Sequence, residues 1–561
     1  MLLRNRFPAF VHHIFLLPVR ELLLICTGFG ALIAALYGNL LTGWWGWDDP
    51  QILKQAFQYA PWEYFLVPEV WREFQPANLN PWIILSFDLD LALFGLNPMG
   101  FYAHHLFSLW LVALGTYILL RLWLNELWSV LGVVLFVCSA PVTNMVYQLM
   151  TRHYLEGLLF SVLMSYLYVR ALREERPLLA WLGGALFFLA VSAKEVYVIQ
   201  VVFLLLIPER DLRRRLFMAS PFFLVLGIYA LWRRYMLGTW IGGYRPSMDW
   251  SAVYHAILKI PSYIFGDSMF AAVSLLLVFA LMVYITWRSR YALILIAGAF
   301  LLLLGPIVPV INISDPNRLL VFSVWALSTG VALSLGELAR SSTRRLVISL
   351  TVLVVIGFSI ADQGWRIRPG LASATDGFAA HGRFIMEADE EQVLLPSVRF
   401  GNWFATGLMW LRENMLKEKS PVMVFDEIDL PEHNTDSLRF FRYDVSCRRL
   451  EDVTDRISKT YREWKGKLRE RPLSVEFDYM DGMISWQLGP CKRGVYSMIT
   501  YGPSGSKMRL PPSGIQRIEI PEPVLFRVRY DSPDGWTTYS PLLQFDGNKL
   551  RNRPGNNGNL K

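Results

Sequence analysis

Charged side chains are scarce in the first two thirds of this 561-residue sequence. Residues 1–361 contain 44 of the 100 Asp, Glu, Lys and Arg residues, or 12% of that segment, whereas residues 362–561 are 28% charged. A soluble chain usually carries about 25% charge, so the composition excludes a single soluble globule. The sequence therefore predicts a polytopic α-helical membrane domain over residues 1–361, followed by a soluble extracytoplasmic domain over residues 362–561.

Cysteine is also scarce, with four in the whole chain, and no Cys/His spacing typical of a metal site occurs. We therefore predict no metal ligands, although carboxylates could still hold a divalent cation. Cys447 and Cys491 are the two cysteines of the soluble domain, where an oxidising exterior would permit a disulfide. Basic residues give a net charge of +8, but they are scattered between apolar segments, which argues against nucleic acid as a partner.

Long apolar segments dominate the first domain. A helix needs about 20 apolar residues to cross the hydrocarbon core of a bilayer. Eleven segments are candidates: 22–41, 101–123, 127–143, 154–170, 178–193, 196–208, 216–236, 270–287, 291–311, 319–337 and 345–361. The first has no small-residue cleavage site after it, so we interpret it as a retained span and not as a signal peptide.

The loops between these segments differ in charge, which predicts the orientation. One set is short and rich in Arg, at residues 121, 170–176, 210–215, 288–290 and 340–345. The other set is longer and rich in Trp, Pro and Gly: 42–100, 144–153, 237–269 and 312–318. Because Arg-rich loops stay in the cytoplasm, the N-terminus is predicted to be cytoplasmic and the C-terminal domain extracytoplasmic.

The first outer loop (42–100) begins with the sequence WWGWDDP at residues 44–50, which places two carboxylates directly after a span. Asp before Pro is typical of a helix N-cap followed by Pro at the first helical position. One cap needs only one Asp, so the other of Asp48 and Asp49 is left at the membrane surface, where it could serve as a general base. The sequence does not decide which Asp has which role.

The rest of this loop mixes aromatic, apolar and acidic residues. Residues 51–75 are predicted to form short helices in the membrane interface. Asp88 and Asp90 follow in a very apolar stretch, where a carboxylate is costly unless it is paired or hydrated. We interpret them as partners for an Arg of the outer face.

Four pieces, in this order, carry a resemblance. The first is the WDDP turn (47–50) followed by the segment LSFDLDLALFGLNP (85–98) and an aromatic/His start to the second span. The others are residues 141–160 with Arg152, the motif SAKE (192–195) and the motif DPNRL (315–319). Together, over about residues 40–335, they resemble membrane glycosyltransferases of the GT-C type, closest to the protein O-mannosyltransferase-like branch and its bacterial relatives. The resemblance implies a GT-C-like fold and, for a bacterial relative, the inner membrane.

The resemblance also implies a substrate. Its members use a sugar carried on a polyprenyl phosphate as donor and transfer it to a protein, lipid or polysaccharide outside the cytoplasm. The resemblance implies no particular cofactor. Asp48 and Asp49 are then the catalytic candidates. The candidates for substrate binding are Trp47, Asn80, His105, Arg152, Lys194, Glu195 and Arg318. The cations among them would bind the phosphate, although Arg152 could be an interfacial side chain and Lys194–Glu195 a structural pair at a helix break.

This sequence departs from the family at several positions. The family has Arg where this chain has Asn80, His and Asn where it has Tyr102 and His105, and Glu where it has Asn144. These departures leave the identity of the sugar open and keep a non-catalytic relative as an alternative. A transporter or flippase of a lipid-linked sugar is the other alternative, but it predicts mid-span ionisable residues and internal repeats, which the sequence does not show.

The C-terminal domain is predicted to be α+β. Residues 402–417 and 450–470 have helical patterning, whereas strands follow Pro472. Segments 474–480 and 483–488, joined by Asp481 and Gly482, are typical of a β-hairpin with a DG turn. Further strand patterns up to residue 545 predict a β-sandwich-like unit at the end of the chain.

Overall fold

A computed structural model of the chain describes residues 18–74, 78–207, 209–240, 250–288, 316–389, 391–396, 402–430, 438–480, 483–491, 493–501, 506–517, 524–545 and 550–552. The chain divides into two compact units. The helical unit comprises Met1–Gly43 and Gln55–Ala372, and the C-terminal unit comprises Trp44–Lys54 and Ser373–Lys561. The WDDP segment therefore folds with the C-terminal unit, although its neighbours in sequence belong to the helical unit.

Helices account for nearly all described residues up to residue 387. In chain order they are α1 (Val19–Tyr37), α2 (Asp49–Gln58), α3 (Glu63–Leu66), α4 (Pro68–Phe74), α5 (Pro81–Phe94), α6 (Pro98–Leu120), α7 (Glu126–Val137), α8 (Ala140–Val146), α9 (Arg152–Glu174), α10 (Pro177–Ala193), α11 (Gln200–Leu206), α12 (Leu212–Leu237), α13 (Trp250–Phe265), α14 (Met269–Arg288), α15 (Pro316–Leu319), α16 (Val321–Ala339) and α17 (Thr343–Glu387). Short 3-10 turns at Gly38–Thr42, Leu149–Thr151 and Glu195–Tyr197 join some of them.

Six helical segments among the described residues are long and apolar enough to cross a membrane, or up to eight if each of two bent helix pairs is one span. Ten of the eleven predicted spans lie on described helices, two of them on the shorter apolar helices Pro177–Ala193 and Glu195–Leu206. The span predicted at 291–311 lies outside the described residues. A mostly helical chain with apolar spans is thus confirmed, whereas the number of eleven stays a prediction.

Helix caps explain where several of these helices start and end. The Asn125 side chain accepts a hydrogen bond from the backbone N–H of Trp128 at the start of α7, and the Asp211 side chain accepts one from Arg214 at the start of α12. At its other end α12 stops at Gly238, whose φ of 75° is left-handed and therefore favours glycine. The short helices α2, α3 and α4 agree with the helical segments predicted for residues 51–75.

Helix α12 carries an exposed apolar stripe. Its members recur three, four or seven positions apart and therefore share one face: Leu216, Phe217, Phe223, Leu224, Ile228 and Leu231. The opposite face packs on α10, where Gly183 and Gly184 admit Phe222 and Pro221. Arg214 and Arg234 stand at the two ends of the stripe, about 30 Å apart at about 1.5 Å per residue. Surface and length are those of a span that faces lipid.

The C-terminal unit starts, after α17, with a mixed sheet. Its strands are β1 (Gln392–Leu395), β2 (Val422–Met423), β3 (Arg439–Asp444) and β4 (Arg449–Asp452), in the order β2-β1-β3-β4. β1 pairs parallel with both neighbours, and β4 pairs antiparallel with β3. Helices α18 (Asn402–Leu411) and α19 (Thr454–Lys467) belong to the same part of the chain. One apolar core joins Val393, Phe440 and Ile457.

The end of the chain forms two further sheets. Their strands are β5 (Ser474–Met480), β6 (Met483–Gly489), β7 (Val495–Tyr501), β8 (Ser506–Leu510), β9 (Ser513–Arg517), β10 (Val524–Asp531), β11 (Thr537–Tyr539), β12 (Leu543–Phe545) and β13 (Leu550–Asn552). One sheet has the order β13-β12-β10-β7-β8 with β11 on β10, and the other has the order β5-β6-β9. Trp486 of the smaller sheet and Val528 of the larger share one apolar core, so the two sheets form a sandwich-like unit.

The predicted hairpin is confirmed by its register, because Met480 pairs with Met483. The helix predicted over 450–470 is wrong at its start. Residues Arg449–Asp452 instead form β4, because β3 supplies a complete ladder for them, and Asp452 then accepts from the N–H of Thr454 where α19 begins. Cys447 and Cys491 are not joined by a disulfide.

Candidate active site

Asp48 and Asp49 lie in a tight turn at the start of α2 and differ in burial. Asp49 is completely buried, and its Oδ2 accepts a hydrogen bond from the backbone N–H of Gly46 at 2.8 Å. Asp48 is exposed, and its backbone carbonyl accepts from the N–H groups of Gln51 and Ile52, which makes it the N-cap residue. The buried carboxylate therefore closes the turn, while the exposed carboxylate is accessible at the surface of the C-terminal unit.

Trp47, the residue before this pair, has a left-handed backbone. Its φ is 43°, which is unusual for a bulky side chain and costs about 1–3 kcal/mol. The Trp47 ring packs against Phe378 with the centroids 4.8 Å apart, and this contact helps to hold the turn. The predicted contact of Trp47 with a sugar stays a prediction.

In the helical unit, Arg152 is the centre of a buried ion cluster made of Ser86, Asp90, His104, Arg152 and Glu156. The Arg152 guanidinium has no exposed surface and forms an ion pair with Asp90, which is also buried. It further donates to the Phe101 carbonyl at 3.1 Å and lies over the Phe87 ring at 4.8 Å. Removing both charges from water is costly, and these contacts offset that cost. The geometry favours a structural role for Arg152, with Asp90 as its predicted acidic partner.

His104 occupies the rim of the buried ion cluster between two carboxylates. Its Nδ1 lies 2.7 Å from Asp90 Oδ1, and its Nε2 lies 3.4 Å from Glu156 Oε1. Glu156 in turn accepts hydrogen bonds from Trp82 Nε1 at 2.9 Å and from Ser86 Oγ at 2.8 Å. The cluster thus ties α5, the helix of the first outer loop, to α6 and α9.

Asp88, on the same helix as Asp90, lies outside this cluster. It is half-buried, and the Tyr64 hydroxyl donates to it at 3.5 Å. Burial raises the pKa of the Asp88 carboxyl. Two carboxylates two positions apart on α5 therefore have different environments, and only Asp90 pairs with Arg152.

Lys194 and Glu195 lie where α10 ends, and they contact the residues that precede α5. With its amide oxygen turned toward Lys194, Asn80 accepts from Lys194 Nζ at 2.9 Å. Glu195 Oε1 accepts from the backbone N–H of Leu79 at 2.9 Å and pairs with the buried Arg233 of α12. The two residues therefore have separate partners instead of forming a pair with each other. Asn80 is thus a hydrogen-bond acceptor for the Lys194 ammonium group.

His153 brings a third segment to this end of the helical unit. It follows Arg152, is buried, and its ring packs against Tyr154, over which Lys194 Nζ lies at 5.1 Å. Arg318 is half-buried in α15, which packs on α8. That Lys194 and Arg318, 124 positions apart in sequence, contribute to one phosphate site stays a prediction.

His105 is completely buried, and its Nε2 lies 3.3 Å from the Met145 carbonyl oxygen. Its neighbour His104, and not His105, belongs to the buried ion cluster. A helix turns about 100° per residue, so two adjacent histidines face different sides. The sequence contained this alternative but no signal that chose between them.

Described residues from several of the predicted Arg-rich loops, or from positions next to them, meet at the opposite end of the helical unit. Glu209 accepts from Arg173 Nη2 at 2.6 Å and from Trp123 Nε1 at 2.9 Å, and Arg340 donates to the Trp123 carbonyl. Asn80, Arg152, Lys194 and Glu195 all lie at the other end, because α9 and α10 form an antiparallel hairpin. Within the part of the chain that the structure describes, these Arg-rich positions are thus separated from the segments that carry Asn80, Arg152 and Lys194, while the orientation in a membrane stays a prediction. Asp315, of the DPNRL motif, lies outside the described residues.

Sequence reasoning missed two members of this site. Ser86 and Glu156 take part in the polar contacts described above. Glu156 offered a signal, since a carboxylate four positions after Arg152 on an apolar helix must find a partner. The predicted residues Asn80, Lys194, Glu195, Arg318 and Arg152 belong to the helical unit, whereas Trp47, Asp48 and Asp49 belong to the C-terminal unit.

Among the described residues, one group of side chains has its ligand atoms close enough together to hold a metal ion. It consists of Asp444, Cys447 and Glu451 in the C-terminal unit. Asp444 Oδ1 already accepts from the N–H and the hydroxyl of Ser446, which closes a local turn. None of the predicted site residues belongs to this group.

The sequence was also compared with known proteins. No protein-family model matches this sequence, and no curated protein is significantly similar to it.

Proposed function

We propose that the protein is a membrane glycosyltransferase that moves a sugar from a polyprenyl phosphate to an acceptor hydroxyl on the extracytoplasmic side. The observation that carries the proposal is the placement of Lys194 at one end of a bundle of apolar helices, where its Nζ lies 5.1 Å from the centroid of the Tyr154 ring and donates to Asn80. Arg318, half-buried in α15, is proposed as the second cation of this site. A lipid-linked phosphate needs cations near the membrane surface and an apolar surface for its tail. The helical unit offers both, and exposed apolar residues such as those of α12 supply the second.

In the proposed reaction the acceptor oxygen forms a bond to the anomeric carbon, and the bond between that carbon and the phosphate oxygen breaks. Its electron pair leaves with the polyprenyl phosphate, whose charge Lys194 and Arg318 stabilise. The acceptor proton passes to a carboxylate, and a single displacement inverts the anomeric centre. No redox partner is needed.

Asp48 is the better candidate for the base. It is exposed, whereas Asp49 is completely buried and its Oδ2 is engaged by the N–H of Gly46. A base must reach the proton that it removes, so accessibility separates the two carboxylates. Asp49 then has a structural role, because its carboxylate closes the turn through Gly46.

The test is turnover by the purified full-length protein with a panel of radiolabelled polyprenyl-phosphate sugars, measured as release of polyprenyl phosphate. Asp48→Asn should lower kcat by about 10²–10⁴-fold, because Asn cannot take the proton. Asp49→Asn is the matched control: its amide oxygen can still accept from Gly46, so most of the turnover should remain. Near wild-type rates in both variants would refute the catalytic assignment.

A transporter or flippase of a lipid-linked sugar is the alternative function. It would move the sugar lipid across proteoliposomes without releasing polyprenyl phosphate. The proposal also requires the C-terminal unit to be extracytoplasmic. A reporter fused after residue 365 that behaves as cytoplasmic would contradict it.

A further inference from the structure

The segment Trp44–Lys54 is embedded in the C-terminal unit, far in sequence from the residues that hold it. The Gln51 side chain, which is buried, donates from Nε2 to the Trp403 carbonyl at 2.6 Å and to Thr406 Oγ1 at 3.0 Å. Lys54 lies over the Trp410 ring at 5.6 Å. One face of α18 thus holds the first turns of α2 through two contacts. They are the hydrogen bonds of Gln51 to Trp403 and Thr406, called the polar clamp below, and the cation–π contact of Lys54.

A glycine allows this contact to be close. A Cβ atom at Gly407 of α18 would lie 2.7 Å from Pro50 Cβ and 2.9 Å from the Pro50 carbonyl carbon. Real Cβ atoms do not approach backbone atoms that closely, so any larger residue at 407 must displace the turn or α18. Pro50 directly follows Asp49, so the displacement would begin one residue from the carboxylate pair.

Helix α17 makes a second close contact of the same kind. A Cβ atom at Gly382 would lie 2.3 Å from Trp44 Nε1, and Arg383 lies over the same Trp44 ring at 5.3 Å. Two glycines on two helices therefore contact the segment 44–50 at its two ends, Trp44 and Pro50. Between these contacts, Trp47 keeps a left-handed backbone that would be unfavourable in an unsupported loop.

We propose that Gly407 and Gln51 are positioning residues: they hold the turn so that the Asp48 carboxylate keeps one place relative to the rest of its unit. This inference rests on the proposed function, in which Asp48 is the base. It assigns to the C-terminal unit a part in the reaction, namely to fix the catalytic turn. A shift of about 1 Å in a catalytic group can lower the rate about 100-fold, which sets the size of the expected effect.

The variant that tests this is Gly407→Ala, which adds one methyl group against Pro50. Gly466→Ala is the matched control, since it also exchanges a helical glycine and a Cβ atom there meets nothing within 4 Å. Both variants gain the same helix propensity, so only the contact with the turn differs. Gln51→Met is a second variant, which removes the polar clamp and keeps the length of the side chain.

Two measurements on the full-length protein are expected to agree. In Gly407→Ala and Gln51→Met, kcat should fall about 100-fold, while KM for the sugar donor should stay within about twofold, because the proposed phosphate site is not altered. Hydrogen exchange of the amides in Trp44–Lys54 should become faster in both variants and stay unchanged in Gly466→Ala. A variant that is merely less stable would speed exchange throughout the C-terminal unit.

The inference is overturned if Gly407→Ala keeps the wild-type kcat and the wild-type exchange of residues 44–54. If the wild-type protein transfers no sugar, the proposed function fails, and hydrogen exchange alone decides about the clamp. Faster exchange confined to residues 44–54 in Gly407→Ala would then support the clamp, and unchanged exchange would refute it.

Discussion

The two ends of the helical unit carry charge in different ways. At the end where Arg-rich loops meet, the ion pairs keep contact with solvent: the side chains of Arg210 and Glu175 are 46% and 53% exposed, and those of Arg173 and Glu209 are 18% and 19% exposed. At the other end, the side chains of Arg152 and Asp90 are 0% and 1% exposed. The same types of residue thus form exposed or partly buried pairs at one end and a fully buried pair at the other.

The difference teaches which charges depend on a defined geometry. A surface pair contributes about 0–1 kcal/mol and tolerates loose placement, which suits a role in topology. A buried pair loses several kcal/mol of hydration per ion and persists only with well-placed partners. The end of the helical unit with Arg152, Lys194 and His153 is therefore the end whose side chains have fixed positions, as a binding site requires.

The strongest way to break this comparison is to remove one buried charge. Arg152→Gln leaves Asp90 and Glu156 without their guanidinium, so unfolding should become easier by about 3–5 kcal/mol. The exposed counterpart Arg210→Gln should change stability by less than about 1 kcal/mol. Thermal unfolding in detergent measures both. Equal losses of stability in the two variants would show that burial of the Arg152–Asp90 pair does not increase its contribution to the free energy of unfolding.

A smaller effect is expected at the proposed phosphate site. Lys194→Gln or Arg318→Gln should each raise KM for the sugar donor about 10–100-fold, since a charge-assisted hydrogen bond contributes about 1.5–3 kcal/mol. Arg344→Gln, an exposed residue of the Arg-rich end, is the control and should leave KM unchanged. Donor titrations of the initial rate provide the measurement.

The double variant sharpens this test. If Lys194 and Arg318 contact one phosphate, the effects of the two substitutions should not add, because the second acts on a site that the first has already weakened. Fully additive effects on KM would place the two cations in separate sites and would leave at most one with the phosphate.

The smallest expected effect concerns an acid in the C-terminal unit. Partial loss of hydration around its carboxyl, followed by the negative charge of Asp426, raises the pKa of Asp429 to about 6, although the residue keeps part of its surface exposed. The folded state then binds more protons than the unfolded state between about pH 4 and 6, so stability falls as the pH rises through that window. Asp429→Asn should remove this loss and stabilise the protein at pH 7 by less than about 1 kcal/mol, since Asp429 is exposed to solvent.

Thermal unfolding of wild type and Asp429→Asn at pH 4.5 and pH 7 tests this prediction. The two proteins should differ at pH 7 and converge at pH 4.5. A difference that is the same at both values would exclude titration of Asp429 as its cause.

Local signals predicted much of the fold. Apolar length located the helices, and the hairpin with its DG turn was found from alternation and turn residues. The parallel pairing of β1 with β2 and β3 was missed, because these strands are short and their partners are distant in sequence. The predicted end of the last span at 361 also failed to mark a helix end: α17 continues to Glu387 through Pro369, which lies inside the helix.

The site was less predictable than the fold. Motifs pointed to Asp48, Arg152, Lys194 and Arg318, but they could not reveal that Arg152 forms a buried ion pair with Asp90. Nor could they show that Asn80 accepts a hydrogen bond from Lys194. Both facts depend on the packing of α5 against α9 and α10, which no local pattern encodes. The same holds for the WDDP turn, whose support comes from Gly407, more than 350 positions later in the chain.

The apolar stripe of α12 defines a thickness as well as a surface. Arg214 and Arg234 bound about 30 Å of helix, which equals the hydrocarbon core of an average bilayer. In thinner membranes Leu231 or Phe217 would enter the headgroup region, and in thicker ones a guanidinium would be drawn toward the acyl chains. Such hydrophobic mismatch costs fractions of a kcal/mol per Å and is relieved by helix tilt. Lipid chain length is therefore a variable that should alter the stability of the reconstituted protein, with its optimum near that thickness.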